Sequence, residues 1–175
     1  MVIIGLGSNQ GQSSQVVSAS MRALHEFAQA ATFRCSGLWR TTPVDCPPGS
    51  SDFINAAVGF EARPGLTPEA LLDALKAMEV AFGRGKTVIR NAPRELDLDL
   101  LVFDEERRDT DTFTLPHPRA IDRLFVLAPV AEIAPELRWP GNGMTVVELL
   151  DVLETDEQVQ PLAHAPQLPD SAGRS

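Results

Sequence analysis

Two cysteines, no long apolar run and a shortage of basic residues narrow the possibilities before any motif is read. Cys35 and Cys46 alone make no disulfide framework, so a reducing compartment, the cytoplasm, is the expected location. Without about 18 consecutive apolar residues no membrane span is expected. The opening "MVIIGLGSNQG" has no basic n-region and no long h-region, and reads as a first strand rather than a signal peptide. Lys and Arg number 15 against 24 Asp and Glu, a net charge of −9. That balance weighs against nucleic acid or an anionic membrane as partner, and any small anionic ligand would need a local cluster of cations. A G-x-x-x-x-G-K-[ST] phosphate loop is also missing.

What is present suits one domain. The chain has 175 residues, 43% hydrophobic and 22% charged, which are ordinary globular values. Residues 1–155 are expected to form it, with a flexible, polar and Pro-rich tail over 156–175. Val2–Leu6 reads as a buried strand ending in a Gly/Ser/Asn loop. A helix is expected over about Ser14–Ala31, with Val17, Met21, Leu24 and Ala28 on one face. "TFRCSGLWRTT" and "FINAAVGFEA" read as strands, separated by the loop "PVDCPPGSSD". Thr67 and Pro68 mark a helix start, and Gly83 a stop. Further helices are expected over "RAIDRLFVLAPVAEI" and, capped by Thr145, over "VVELLDVLE". The order predicts an α+β fold, a ferredoxin-like βαββαβ core with additional C-terminal helices.

"PRELDLDLLVFDE", residues 93–105, reads as a strand that carries two charges in an otherwise apolar run. Alternation puts Asp97 and Asp99 on one face, roughly 6–7 Å apart, with Leu96, Leu98, Leu100 and Val102 on the other. An amphipathic strand with a wet face is one reading. However, the aspartate face continues as Leu101 and Phe103, which predicts that its C-terminal end is covered. Two carboxylates at a covered rim repel each other and call for cations, and an oxygen-only pair suits a hard ion such as Mg²⁺. Arg84, Lys86, Arg90 and Arg94 precede the strand. They are either a solvated basic loop or a phosphate clamp of the kind phosphoryl transfer needs. His117 stands between two prolines in "LPHPR", with Arg119 and Arg123 nearby. A structural histidine and a ligand-contacting one are both open.

"GLGSNQG", "RTTPV", "FINAAV", "GR", "APRELDLDLLVFD" and "LPHPR", in this order, resemble the 6-hydroxymethyl-7,8-dihydropterin pyrophosphokinase family. The resemblance runs from residue 2 to about residue 140. It implies a small, monomeric, cytoplasmic enzyme that transfers pyrophosphate from ATP to the pterin hydroxymethyl oxygen and releases AMP. It further implies that Asp97 and Asp99 bind two Mg²⁺ ions with ATP. Arg84 and Arg94 would hold phosphates and act in catalysis. His117 and Arg123 would contact ATP phosphates, and Leu100 and Thr114 would line the adenine side. Asn55 would bond the pterin ring between Phe53 and Phe125, with Gly7, Thr41, Thr42 and Val44 completing its pocket. Glu79 matches a family position close to the site. Some relatives carry Trp where Asn91 stands and Tyr where Phe53 stands, and this chain has no tyrosine. The residue after the motif histidine is Pro118. A ferredoxin-like binding module without catalysis, and an ordinary γ-phosphoryl kinase, are the rival readings. They differ in product: AMP for the pyrophosphokinase, none for the module, ADP for the kinase.

Overall fold

A computed structural model describes residues 1–43, 49, 51–82 and 95–162. Its elements, in chain order, are β1 (Val2–Ser8), α1 (Ser13–Leu24), β2 (Arg34–Cys35), β3 (Trp39–Thr41), β4 (Phe53–Phe60), α2 (Pro68–Ala81), β5 (Asp97–Phe103), β6 (Arg108–Asp109), β7 (Thr114–Leu115), α3 (Leu124–Ile133), α4 (Val146–Val152) and β8 (Val159–Pro161). The main sheet runs β5-β1-β4-β3-β8, with β2 also on β4, and every pairing is antiparallel. The fold is thus a mixed helix-and-sheet one around an antiparallel sheet.

Alternation along the strands gives this sheet two buried faces. On one, Val2, Ile4 and Leu6 of β1 pack with Val17 and Met21 of α1 and Leu71 of α2. On the other, Ile3, Ala57 and Leu101 pack with Leu127, Val130 and Ile133 of α3. Burial on both faces explains why β4, at "FINAAVGF", is apolar nearly throughout. α2 begins as its sequence dictates: Thr67 Oγ1 accepts from Ala70 N–H at 3.2 Å, with Pro68 in the first turn. Thr145 caps α4 in a reciprocal capping box with Glu148.

Four expectations are corrected. α1 stops at Leu24, followed by a 3₁₀ turn over His25–Phe27. There the chain leaves the helix to pair Ala28 with Ala62, and Gln29 N–H donates to Glu61 O at 2.8 Å. "TFRCSGLWRTT" is two short strands rather than one. Between them Gly37 N–H donates to Glu132 Oε2 at 2.6 Å, and Ser36 Oγ accepts from Ala57 N–H at 2.8 Å. In β5 the alternation breaks: Ile4 faces Leu100 while Ile3 faces Val102, so the strand carries one extra residue. Leu101 and Val102 therefore both join the α3 side, and Phe103 returns to the α1 side with Leu98 and Leu100. Finally, residues 156–162 do not hang as a tail. Val159–Pro161 extend the sheet along β3. Residues 163–175 lie outside the described residues, as do the loop stop Gly83 and the basic stretch 84–94.

Candidate functional site

The inner strand β1, between β5 and β4, has glycine at two positions on the α3 side, Gly5 and Gly7, and both are partly exposed although the residues around them are buried. Across the sheet Gly7 faces Asp97 on β5 and Asn55 on β4, and Gly5 faces Asp99 and Ala57. Paired residues share a face. The result is a groove with a bare backbone floor. Two half-buried carboxylates stand along one side and an amide along the other, about 9–10 Å apart at two strand spacings. The expectation that the aspartate face is covered at its C-terminal end holds, since Leu101 and Val102 are each 1% exposed beneath α3.

The Asn55 wall is preorganised. Asn55 is buried, and its Nδ2 donates to Thr41 Oγ1 at 2.8 Å. A methyl group at Gly7 would come within 3.0 Å of Asn55 Oδ1, so the amide leans over the glycine and needs its missing side chain. Thr41 faces Phe53 across the β3–β4 pair, which puts half-buried Phe53 beside Asn55 on the same face. Thr42, next to them, is exposed.

The carboxylate wall is held from below. Glu79 of α2 is 3% exposed, and its Oε1 accepts from Leu98 N–H at 2.9 Å. It thereby fixes the residue between the two aspartates. His117 is tied to the same strand, its N–H donating to Leu101 O at 2.9 Å. Its Nδ1 accepts from Arg119 N–H at 3.3 Å, which assigns the ring proton to Nε2. Burial first, then Arg123 and Arg119, push the His117 pKa below its ordinary value, with Asp97 opposing them. His117, Asp97 and both arginines thus share one electrostatic neighbourhood. Arg119 and Arg123 flank a 3₁₀ turn over Ala120–Asp122 rather than lying on one α-helix, which starts only at Leu124. The Arg123 guanidinium sits over the Phe125 ring, 5.4 Å from its centroid.

Two expected nucleotide contacts stand apart from this group. Leu100 is 5% exposed, with its side chain in the α1–α2 core on the face opposite the aspartates. Thr114, in β7, is exposed. Val44, Arg84 and Arg94 fall outside the described residues. Among the described residues no group of three or more His, Cys, Asp or Glu side chains has metal-binding geometry. Two half-buried carboxylates beside a bare floor fit magnesium, which keeps waters and substrate phosphates in its shell rather than a full protein cage. Among the described residues no helix is long and apolar enough to cross a membrane.

Residues 3–135 match the family model described as 7,8-dihydro-6-hydroxymethylpterin-pyrophosphokinase (HPPK). The chain is 37% identical over 134 residues to a 2-amino-4-hydroxy-6-hydroxymethyldihydropteridine pyrophosphokinase of Bacillus subtilis, covering 77% of this chain and 78% of that one. It is 35% identical over 149 residues to the Pseudomonas aeruginosa protein of the same name, at 85% and 89% coverage. A crystal structure of a Plasmodium falciparum HPPK-DHPS triple mutant with pteroate superposes with a TM-score of 0.61 at 12% identity. That match covers 86% of this chain and 42% of the Plasmodium chain, and it bears on the fold alone.

Proposed function

Since the chain belongs to the 7,8-dihydro-6-hydroxymethylpterin-pyrophosphokinase family, we propose that its glycine-floored groove is where the family's reaction takes place. The chain is an ATP-dependent diphosphotransferase. It moves pyrophosphate from ATP to the hydroxymethyl group of 6-hydroxymethyl-7,8-dihydropterin, a step of folate biosynthesis, and AMP leaves. The observation that carries the site assignment is the pair of rows Asp97–Gly7–Asn55 and Asp99–Gly5–Ala57, with carboxylates on one side of a bare floor and an amide on the other.

In this reading the pterin lies toward Asn55. The ring's polar edge bonds the amide that Thr41 holds, with Gly7 below it and Thr42 and Val44 around it. Phe53 and Phe125 cover its flat faces, a role suited to aromatic surfaces. Arg123 already covers one face of Phe125, so the ring stacks on the other. The triphosphate lies toward β5. Asp97 and Asp99 would hold two Mg²⁺ ions there, which neutralise charge on the attacking, bridging and leaving oxygens when bound. Neutral His117 offers its Nε2 proton to a phosphate oxygen, and Arg123 adds a cation. Arg84 and Arg94 are assigned to the same phosphates. Leu100 would meet the adenine through its backbone, its side chain being turned into the core, and Thr114 would meet it from β7. The pterin oxygen attacks the β-phosphorus in line, the α–β bridging oxygen departs with AMP, and the hydroxyl proton passes to solvent. No protein base is assigned.

The order β5-β1-β4-β3 with all pairs antiparallel supports a ferredoxin-like core as the scaffold. Residues 1–155 together with the edge strand β8, Val159–Pro161, are proposed as the single catalytic domain of a monomer working in the cytoplasm.

The site is tested by product analysis. Wild-type protein given ATP, Mg²⁺ and hydroxymethyldihydropterin is expected to make AMP. Asp97→Ala and Asp99→Ala are each expected to lose AMP formation while the protein still folds. Near-normal turnover in either variant at ordinary Mg²⁺ would place the metals elsewhere. ADP as the product would point to γ-phosphoryl transfer, and no product to a binding module.

A further inference from the structure

The group that caps α3 comes from neither α3 nor the segment before it. Arg123, at the N-cap position, makes no side-chain capping bond. Instead Glu157 Oε2 accepts from Leu124 N–H at 2.7 Å and from Phe125 N–H at 3.2 Å. A carboxylate there satisfies two amides that have no partner within the helix, and it complements the helix dipole. The residues directly after Glu157 run along the opposite wall. Thr42 N–H donates to Gln158 O; Val159, Gln160 and Pro161 pair with Thr41, Arg40 and Trp39; Leu162 N–H donates to Leu38 O. One stretch of chain, 157–162, is therefore fastened at its start to the first turn of α3 and along its length to the strand that orients Asn55 through Thr41.

We infer that Glu157 is a positioning residue for the pterin. Through the first amides of α3 it fixes Phe125 at a set distance from the Thr41–Asn55 wall. The inference rests on the reading of this groove as the pterin site. Its effect is local because α3 is anchored separately by Leu127, Val130 and Ile133 in the core. Losing the cap loosens the first turn, where Arg123 and Phe125 stand, and leaves the helix in place.

The test uses Glu157→Ala, Glu157→Gln and Phe125→Ala in the full chain. Calorimetry gives pterin affinity with Mg²⁺ and a non-hydrolysable ATP analogue present, and the analogue's own affinity. Glu157→Ala is expected to weaken pterin binding about tenfold, the scale of a lost helix cap, while analogue affinity falls by less than about twofold, other cations sharing that role. Glu157→Gln keeps an acceptor oxygen and is expected to recover most of the pterin affinity. Wild-type pterin affinity in Glu157→Ala alongside a large loss in Phe125→Ala overturns the inference. So does an equal loss for both ligands that tracks the melting temperature, which marks a general structural role. Undiminished pterin binding by Phe125→Ala sinks the stacking reading itself, whatever Glu157→Ala does.

Discussion

A carboxylate inside a strand is costly unless its face is wet or a cation meets it. Asp97 and Asp99 stand half-buried opposite Gly7 and Gly5 of the neighbouring strand, whose missing side chains leave the groove open beside them. The amide across the floor has the opposite character: it is buried and already bonded to Thr41. Asn55→Ala should therefore raise the pterin dissociation constant strongly, by roughly 1–3 kcal/mol for each ring atom left unpaired. ATP affinity should barely move, and an equal calorimetric loss for both ligands would put Asn55 outside the pterin pocket. His117 gives a separate test, read in stability rather than turnover. Its pKa is lowered in the folded chain, chiefly by burial. Well above its ordinary value near 6.5 it is neutral whether folded or unfolded. As pH falls below that, the unfolded chain takes up the proton first, so the fold loses stability until the folded value is passed. Between about pH 7.5 and about pH 5.5 the urea midpoint of wild type should drop by more than that of His117→Gln. Equal drops would show that another group carries the dependence.

At the scale of elements, local chemistry was legible and long-range adjustment was not. Thr67 with Pro68, and Thr145 with Glu148, announce their helices because a cap is encoded within four residues. The aspartates stood out because they break an apolar pattern. The extra residue at Leu101 left no mark, since "LLVF" is apolar whichever side each residue takes, and only pairing with Ile3 and Ile4 decides it. The break near Gly37 likewise depends on Glu132, a side chain far along the chain. The sequence places Gly5 in the first strand and Gly7 in the loop after it, and the resemblance gives Gly7 to the pterin pocket, yet β1 runs on to Ser8 and Gly7 works inside the strand, as floor. That makes β1 testable as an element. Gly7→Ala would bring a methyl within 3.0 Å of Asn55 Oδ1 and force the amide to shift, whereas the same change at Gly5 meets only the flexible Leu101 side chain at 3.4 Å. The pterin KM should rise in Gly7→Ala, with a melting temperature close to wild type. An unchanged KM would mean that the Asn55 amide is not held by contact with that floor.

For the whole molecule, the sheet is closed by a segment that sequence alone marks as surplus. "ETDEQVQP" is polar, ends in proline and has no periodicity, and short edge strands commonly look like this. Its order is imposed from outside: Glu157 bonds amides more than thirty residues earlier in the chain, and β8 borrows the pairing edge of β3. Ending the chain at Thr155 would remove both attachments at once. β3 would become the outer strand of the sheet, with its N–H and C=O groups unpaired and open to pairing with another molecule. Ending it at Leu162 would keep every one of these bonds. The shorter truncation product is thus expected to melt lower, to bind pterin more weakly and to associate as its concentration rises. The chain ending at Leu162, which keeps these bonds, is expected to melt higher, to bind pterin more tightly and to associate less than the shorter product. Size-exclusion chromatography over a concentration series, together with melting curves, separates the cases. If the chain ending at Thr155 stayed as stable and as active as wild type, β8 would be decoration on the sheet and not part of what holds its two walls.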